Sequence, residues 1–482
     1  MDGSEVPCPL STLKWLLDAV GITDADVSSV SFIGADPVVS TRYRVGTLGS
    51  ALIAAVGLAA AQIWKMRGGK SQRLKISIYA AVAALNSIKY MHLNGGPPPP
   101  IWDPISGFYP AKHGRWIHLH CSFPTLRERI LQTLSAPADK IEIAKRTRMW
   151  DAAELEEAIF VGGACAGFAR TPEEWSAHPQ AKAVAGLPII EIRRIGDAPV
   201  QSFTEGSRPL SGVRVLDLTR VLAGPTGSRA LAEHGAEVLK ITSPHLVDSG
   251  LMELDTGLGK FSAHLDLRQS DHASKLRELA RATDIFCQSY RPGALANYGF
   301  GPEAIASIRP GIIYATLSAW GHGGPWGHRR GYDSVVQSAT GMAYVSRVAE
   351  RPQFLPVAAI DYLSGYSMAL GVMAALMRRA VEGGSWLVRV SLAKTGQWIS
   401  ENGLFPGAQI AELGSDVPAQ LVEEMSVQTN GPAGVLKHLS PAVKMSETPP
   451  YWARSAVPLG FDPPEWPAGS RDGQRNLATH PS

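Results

Sequence analysis

Cysteine is scarce in this chain. The four in 482 residues are Cys8, Cys121, Cys165 and Cys287. No two stand at C-x-x-C spacing, so neither a disulfide framework nor a structural zinc site organises the fold, and no metal is expected. That usage fits a reducing, cytoplasmic setting. Charge of one sign is also scarce: 46 Lys and Arg face 43 Asp and Glu, a formal net charge of +3. The basic residues form no long run, which excludes the electrostatic footprint of nucleic-acid binding. It leaves room for a small anionic ligand held by a few local arginines. The N-terminus, MDGSEVPCPL, is acidic and lacks the apolar core of a signal peptide. Long hydrophobic runs are nearly absent. The exception is residues 45–64 (VGTLGSALIAAVGLAAAQIW), which carry no charge. The run is rich in Ala and Gly rather than Leu and Phe, lacks a flanking aromatic belt and has no second span beside it. It predicts a buried helix in a globular core, with no membrane involved.

What is there is a globular composition, 45% hydrophobic and 18% charged, in a chain long enough for two or three domains. The clearest pattern is an α/β rhythm from residue 212 to about 393. Strands are predicted at 213–218 (VRVLDL), 236–241 (AEVLKI), 262–267 (SAHLDL), 284–289 (DIFCQS) and 311–318 (GIIYATLS), with a helix at 272–282. Strands alternating with helices imply parallel βαβ units and an open doubly wound sheet. Ligands of such sheets sit beyond the carboxyl ends of the strands. That points to three loops, 219–225, 290–293 and the Gly-rich 319–331.

The N-terminal part is less regular. Residues 94–112 are rich in Pro and Gly, 116–121 (WIHLHC) alternate like a strand, and 123–134 and 151–159 are helical in pattern. Thr171-Pro172-Glu173-Glu174 signals a helix start. Residues 401–482 are rich in Pro, Gly and Ser. They predict a mostly irregular tail wrapped on the surface, frayed after about 470. An internal repeat is also present. Gly57–Ala60, Gly69 and residues 74–78 (LKISI) match Gly371–Ala374, Gly383 and residues 388–392 (VRVSL) at a constant offset of 314 residues, 57 to 371 and 74 to 388. Each copy is a small-residue helix, a glycine turn and an alternating strand, which favours duplication. The offset sets Thr47 opposite Asp361.

Asp361 is a lone carboxylate that opens an apolar, small-residue helix after LPVAAI. Burying it unpaired is costly, which suggests a chemical purpose. The alternative is a helix N-cap, where an Asp accepts N–H bonds and complements the helix dipole. The residues alone leave both open. His322 and His328 lie in the Gly-rich loop and form no metal motif, and His118 and His120, alternating on one strand, are a weak one.

Seven segments in order resemble class III CoA-transferases of the CaiB/BaiF type: GVRVLDLTRVLAGP, AEHGAEVLKI, GKFSAHLDLR, DIFCQSYRPGAL, RPGIIYATLSAWGHGGPW, RRGYDSVVQSATGM and AAIDYLSGYSMALGVMAAL. Together they fall within residues 210–395. Residues 45–200 resemble the second half of such a protein, so that the halves follow one another in reversed order. The resemblance implies a Rossmann-like CoA-binding and catalytic region at 207–400 and a smaller α/β domain from 1–206, followed by the tail at 401–482. It implies Asp361 as the catalytic carboxylate, with Tyr332 where family racemases carry a histidine. It implies coenzyme A contacts from Arg220, Val221, Leu222, Ala223, Leu265, Arg268, Tyr290 and Arg330. Two departures stand out: SPHLVDSGLMELD replaces a stretch that bears an arginine in the family, and Asn297 stands at another arginine position, so that Arg291 is a candidate substitute. The implied activity is CoA transfer between an acyl-CoA and a carboxylic acid through an aspartyl intermediate, with Gly323, Gly324 and the AGP loop as oxyanion donors. The implied assembly is a homodimer or a dimer with a related chain. An acyl-CoA racemase or epimerase and a non-catalytic CoA-ester-binding subunit are the competing readings.

Overall fold

The computed structural model describes residues 7–97, 100, 102–246 and 250–467. The fraying expected after about residue 470 lies outside these residues. So do residues 1–6 of the acidic start, 98, 99 and 101 of the Pro/Gly-rich stretch, and 247–249 of the segment after AEVLKI.

Apolar runs build a seven-stranded sheet from β1 (Glu191–Gly196), β2 (Arg214–Leu218), β3 (Glu237–Thr242), β4 (Lys260–His264), β5 (Ile285–Gln288), β6 (Ile313–Ser318) and β7 (Ser385–Ser391). The order is β4-β3-β2-β5-β6-β7-β1. Every pairing is parallel except β7 with β1. Strands β2, β5 and β6 are buried nearly end to end, as expected when helices cover both faces of a parallel sheet. Without β1, the order is the 3-2-1-4-5-6 of doubly wound folds. The winding reverses between β2 and β5, and a crevice opens there at the carboxyl ends of the strands. The α/β alternation is therefore realised as read. Two details differ. β1 is an antiparallel edge strand supplied by the N-terminal region. The third strand ends at His264 rather than 267, because Asp266 folds the chain into a turn, accepting the N–H of Arg268 at 3.2 Å while its carbonyl accepts from Gln269 at 2.9 Å.

Four helices position the site: α1 (Val45–Met66), α2 (Ala223–Glu233), α3 (Asp333–Ala339) and α4 (Ala359–Glu382). α1 is the long apolar run, and its side chains are packed inside the protein over almost its whole length. It packs on α4, which packs on α2. The α4–α2 crossing depends on glycine. A Cβ on Gly365 would lie 2.4 Å from the carbonyl oxygen of Ala223, and one on Gly227 would lie 2.7 Å from that of Gly365. The halves of the chain share one continuous hydrophobic core, from Leu13 to Met445.

The repeat is a repeated βαβ unit. Strand Val30–Ile33, α1 and strand Leu74–Ser77 match β6, α4 and β7, with parallel register in both: Ile33 opposite Ser77, and Ser318 opposite Ser391. The Ser77 hydroxyl caps the next helix by accepting the N–H of Ala80, and Ser391 accepts that of Lys394, again 314 residues on.

The C-terminal expectation of a mostly irregular stretch holds for most of the described tail and is corrected over residues 419–445. Residues 419–445 form a helix, Ala419–Met425, and strands Ser426–Gly431, Gly434–Leu439 and Val443–Met445. Val443–Met445 pairs with Leu74–Ser77, and Gly434–Leu439 with His92–Leu93. Their hydrogen-bond partners lie near the other end of the chain, so local composition could not reveal them.

A buried polar network ties these parts together. Arg229 on α2 donates to the Asp255 carboxylate at 2.8 Å and to the Ser87 hydroxyl at 3.2 Å. Ser87 donates to Asp255 at 2.7 Å and meets the Tyr362 hydroxyl at 3.1 Å. Both charges are almost fully buried. Removing one would leave the other uncompensated. Asp255→Ala is expected to cost about 3–5 kcal/mol in urea unfolding, while Asp255→Ala with Arg229→Met recovers most of the loss. A single-variant loss below about 1 kcal/mol would contradict the role given to this pair.

Candidate active site

The loop after β2 is held from beneath. Asp217, buried in β2, accepts from the N–H and hydroxyl of Thr219 at 2.9 and 2.5 Å, from Ser228 at 2.5 Å and from the Lys260 ammonium at 2.9 Å. Lys260 also donates to the Pro225 carbonyl at 2.9 Å. Lysine and hydrogen bonds outweigh desolvation and keep the Asp217 pKa low, whereas burial brings Lys260 down to about 8. So anchored, the loop carries Val221 at φ 68°, a left-handed conformation that a β-branched residue rarely adopts. Such strain costs on the order of 1–3 kcal/mol and persists where the surroundings fix it. The Arg220 N–H donates to Ser289 Oγ at 3.0 Å, stitching the loops after β2 and β5 across the crevice.

Two cavities meet there. The first, about 290 Å³, lies at the ends of β2, β5 and β6 and is lined by Arg220, Val221, Leu222, Ala223, Tyr290, Arg291, Arg329, Arg330, Tyr332 and Asp361, among others. Four guanidinium groups share it. Arg329 pairs with Glu157. Arg291 and Arg330 make no ion pair among the described residues, and burial with the charges of Arg330 and Arg129 lowers the Arg291 pKa. Such a cluster suits an anionic ligand. The second cavity, about 410 Å³, shares Val221, Leu222, Tyr332 and Asp361 with the first, and its walls include Trp102, Phe123, Leu251, Met252, Phe354 and Leu355.

Asp361 sits where they join, in the first turn of α4 and 8% exposed. It is not the cap of its helix, which corrects that alternative. Asp333 on α3 does the capping from outside, accepting the Asp361 N–H at 3.1 Å, with Ile360 N–H and the Gln337 amide as further donors. The Asp361 carboxylate itself has no hydrogen-bond donor among the described residues. Burial and the nearby Asp333 charge drive its pKa well above the carboxylate range. Burial raises Asp333 to about 6 against its hydrogen bonds. Asp333 therefore ionises first, and Asp361 keeps its proton longer. In the N-terminal repeat, Asp36 accepts the Thr47 N–H at 2.9 Å, so the capping carboxylate is kept where the second one is missing.

Of the residues expected from the sequence, Asp361, Tyr332, Arg220, Val221, Leu222, Ala223, Tyr290 and Arg330 converge on this crevice. Leu265 and Arg268 stand apart, on the loop after β4, two strands from β2. Leu265 is a buried core residue. Arg268 is exposed and forks onto Asp266 at 2.9 and 2.8 Å. Arg291 does line the cavity. Gly323 and Gly324, expected as oxyanion donors, are exposed and line neither cavity. Ala223 and Gly224, at the start of α2, line the crevice instead and offer first-turn N–H groups. His322 and His328 line neither cavity.

Sequence reasoning set His118 and His120 aside as a weak metal pair. Both are buried against Ser334, with ring nitrogens 3.1 and 3.3 Å from its hydroxyl, and His120 stacks on Tyr332 with centroids 4.1 Å apart. The i, i+2 spacing was the available signal, but its target on α3 was not legible.

The sequence profile of CoA-transferase family III matches residues 18–204 and 210–420. The acetyl-coenzyme A transferase nodX of Hypoxylon pulicicidum is 30% identical over 322 residues, 61% of this chain and 54% of that protein. An acyl-CoA transferase of Gibberella moniliformis is 28% identical over 420 residues, 77% of this chain and 73% of its own length. The succinyl-CoA:glutarate CoA-transferase of Mus musculus is 33% identical over 192 residues, 37% of this chain and 44% of that protein. The chain thus spans about half the length of two of these three relatives. A crystal structure of a CAIB/BAIF family protein from Brucella suis aligns with a TM-score of 0.36 at 27% identity, covering 39% of this chain and 55% of that one.

The buried carboxylate has a consequence for stability. Between its ordinary pKa and its raised folded pKa, Asp361 is ionised when unfolded and protonated when folded, so stability falls as pH rises through that window. Asp361→Asn removes the penalty. Its Tm is expected to exceed that of the wild type at pH 8, with the gap closing toward pH 4. Thermal unfolding across pH tests this, and a gap independent of pH would contradict it.

Proposed function

Because the chain belongs to CoA-transferase family III, we infer that it transfers coenzyme A between an acyl thioester and a carboxylic acid, with Asp361 as the acyl acceptor. The observation that carries this reading is one buried carboxylate, not engaged in capping, at the junction of an arginine-lined cavity and an apolar one. The arginines suit the phosphates of the CoA moiety, and the apolar side suits an acyl group.

The Asp361 carboxylate attacks the thioester carbonyl. The C–S bond breaks, giving an aspartyl mixed anhydride and CoA thiolate. The thiolate attacks the aspartyl carbonyl, forming an aspartyl-CoA thioester and releasing the donor acid. The acceptor carboxylate attacks that thioester and expels thiolate again. The thiolate then attacks the acceptor's acyl carbonyl, releasing the new acyl-CoA and the free Asp361 carboxylate. Each addition places charge on a carbonyl oxygen beside the start of α2, where the N–H groups of Ala223 and Gly224 and the helix dipole favour it. Acyl-CoA racemisation is disfavoured. It needs two proton-transfer groups poised near working pH, and burial, with Cys165 nearby, drives the Tyr332 phenol far above its ordinary range. The reading includes a dimer, with itself or a related chain, in the cytoplasm.

Asp361→Ala should lower transfer by about a thousandfold or more while CoA-ester binding persists, because the covalent step is lost. Hydroxylamine, which displaces the leaving group from an activated aspartyl carbonyl, should convert Asp361 to a hydroxamate adduct found by peptide mass spectrometry, with no deuterium at the substrate's Cα in heavy water. An adduct elsewhere would overturn the residue, and deuterium without an adduct would overturn the reaction.

The nucleophile must be ionised, so kcat/KM should rise with pH along an acid limb above the ordinary carboxylate range. The groups facing Asp361 are Asp333, Tyr332 and the cavity arginines, and Asp333 supplies the opposing charge. Asp333→Asn keeps a carbonyl oxygen for capping but removes that charge, so the limb should move to lower pH. A limb that stays in place would show that the pair is uncoupled. Arg291→Ala and Arg330→Ala should each raise KM for the CoA ester by the equivalent of about 1.5–3 kcal/mol, more than Arg268→Ala does.

A further inference from the structure

We propose that the second cavity selects a neutral, largely apolar acyl group and rejects acyl chains that end in a carboxylate. This rests on the reading of Asp361 as the acyl acceptor, which fixes the second cavity as the place where the acyl chain lies.

The walls argue for it first. Trp102 and Phe354 stack with centroids 5.8 Å apart and planes 5° from parallel, and Phe354 meets Phe108 at 4.7 Å. Leu251 and Met252 line the cavity as well. An alkyl or aryl chain entering this space leaves water for carbon on several sides, the arrangement in which apolar burial is most favourable.

The charges argue for it second. Among the described residues that line the cavity there is no lysine or arginine; the arginines are all on the other side of Asp361. The candidate cations are His118, behind the wall, and His120, in it. Both are held neutral: burial lowers His120 to about 3, and burial with the neighbouring His120 lowers His118 well below its ordinary value. Asp333 and Asp361, which also line the cavity, are carboxyl groups and supply no cation. A terminal carboxylate on the acyl chain would therefore shed its water and find no counter-charge.

Neutral polar side chains, Asn86, Ser122 and Gln337 among them, also line the cavity, and His120 adds a buried nitrogen. Nδ1 of His120 faces the Ser334 hydroxyl at 3.3 Å, and its Nε2 is buried with no partner among the described residues. A neutral imidazole can hydrogen-bond a ligand oxygen, but it supplies no counter-charge, so it does not rescue a carboxylate.

The test uses CoA thioethers, which carry a side chain on sulfur but offer no carbonyl to attack. Equilibrium binding of S-hexyl-CoA and S-(5-carboxypentyl)-CoA to the full chain reads the cavity without requiring turnover. The alkyl ligand should bind at least about tenfold more tightly at pH 7.5, reflecting the unpaired carboxylate. Met252→Lys, which adds a cation to the wall, should narrow or reverse that ratio. Equal or reversed affinities for the wild type would overturn the proposal. Transfer is then assayed separately with hexanoyl-CoA and succinyl-CoA as donors. If the thioether preference holds but neither donor is turned over with any acid, the transferase reading fails and the cavity's selectivity stands. If succinyl-CoA is the better donor, transferase activity stands and the selectivity fails.

Discussion

Helix α4 crosses α2 with the two backbones nearly in contact, and the site depends on that approach. It is possible because Gly365 and Gly227 carry no side chain where a Cβ would collide with the opposite carbonyl. Closing the gap sets the first turn of α4 over the start of α2 and brings Asp361 to the loop that carries Val221. The same crossing buries the carboxylate. A residue with even one methyl group at either position would push the helices apart and admit water. The helix crossing, the burial of Asp361 and its lowered acidity are thus consequences of one close packing.

Burial divides labour between two neighbouring acids. Asp333 receives three hydrogen bonds and stabilises the start of α4, a task ordinarily done by a residue next to the helix in sequence. Relieved of capping, Asp361 has only desolvation and a like charge around it, which makes its ionised form high in energy and reactive. The cavities sort ligand parts by the same physics. Cationic side chains collect on the side reached from the strand ends, where water and an anion can meet them, and rings collect on the other. The repeated βαβ unit shows what the fold alone requires. Asp36 still caps α1 by accepting the Thr47 N–H. The capping acid therefore belongs to the architecture, and the second acid is the addition.

Much of the catalytic region was legible. The strands from 213 to 318 could be read because each is a short apolar run bounded by turn residues, and parallel pairing follows from the helices between them. The loops after β2 and β5 followed from the strands themselves, since ligands of such sheets gather beyond their carboxyl ends. The repeat was legible because a constant offset preserves local chemistry, and the structure added its serine caps. Illegible were contacts whose partners are far apart in the chain. His118 and His120 looked like a bare pair until Ser334 and Tyr332 were packed on them. Residues 419–445 looked irregular because their strands are completed by Leu74–Ser77 and His92–Leu93. Gly323 and Gly324 had an oxyanion loop's composition, but the loop folds so that they are exposed and line neither cavity.

By itself, the sequence determined the α/β alternation, the buried character of the 45–64 run, the duplicated unit and the family likeness that singles out Asp361. These are properties of residue type at short range, where periodicity and turn chemistry act. The tertiary structure decided that Asp361 is spared capping, that Arg291 and Arg330 face the crevice while Arg268 is spent on Asp266, and that a ring-lined space without lysine or arginine among the described residues opens behind the carboxylate. Those depend on which side chains share a desolvated volume. Coulomb and desolvation energies are set by distance and dielectric in three dimensions, and neither is written in the order of residues along the chain.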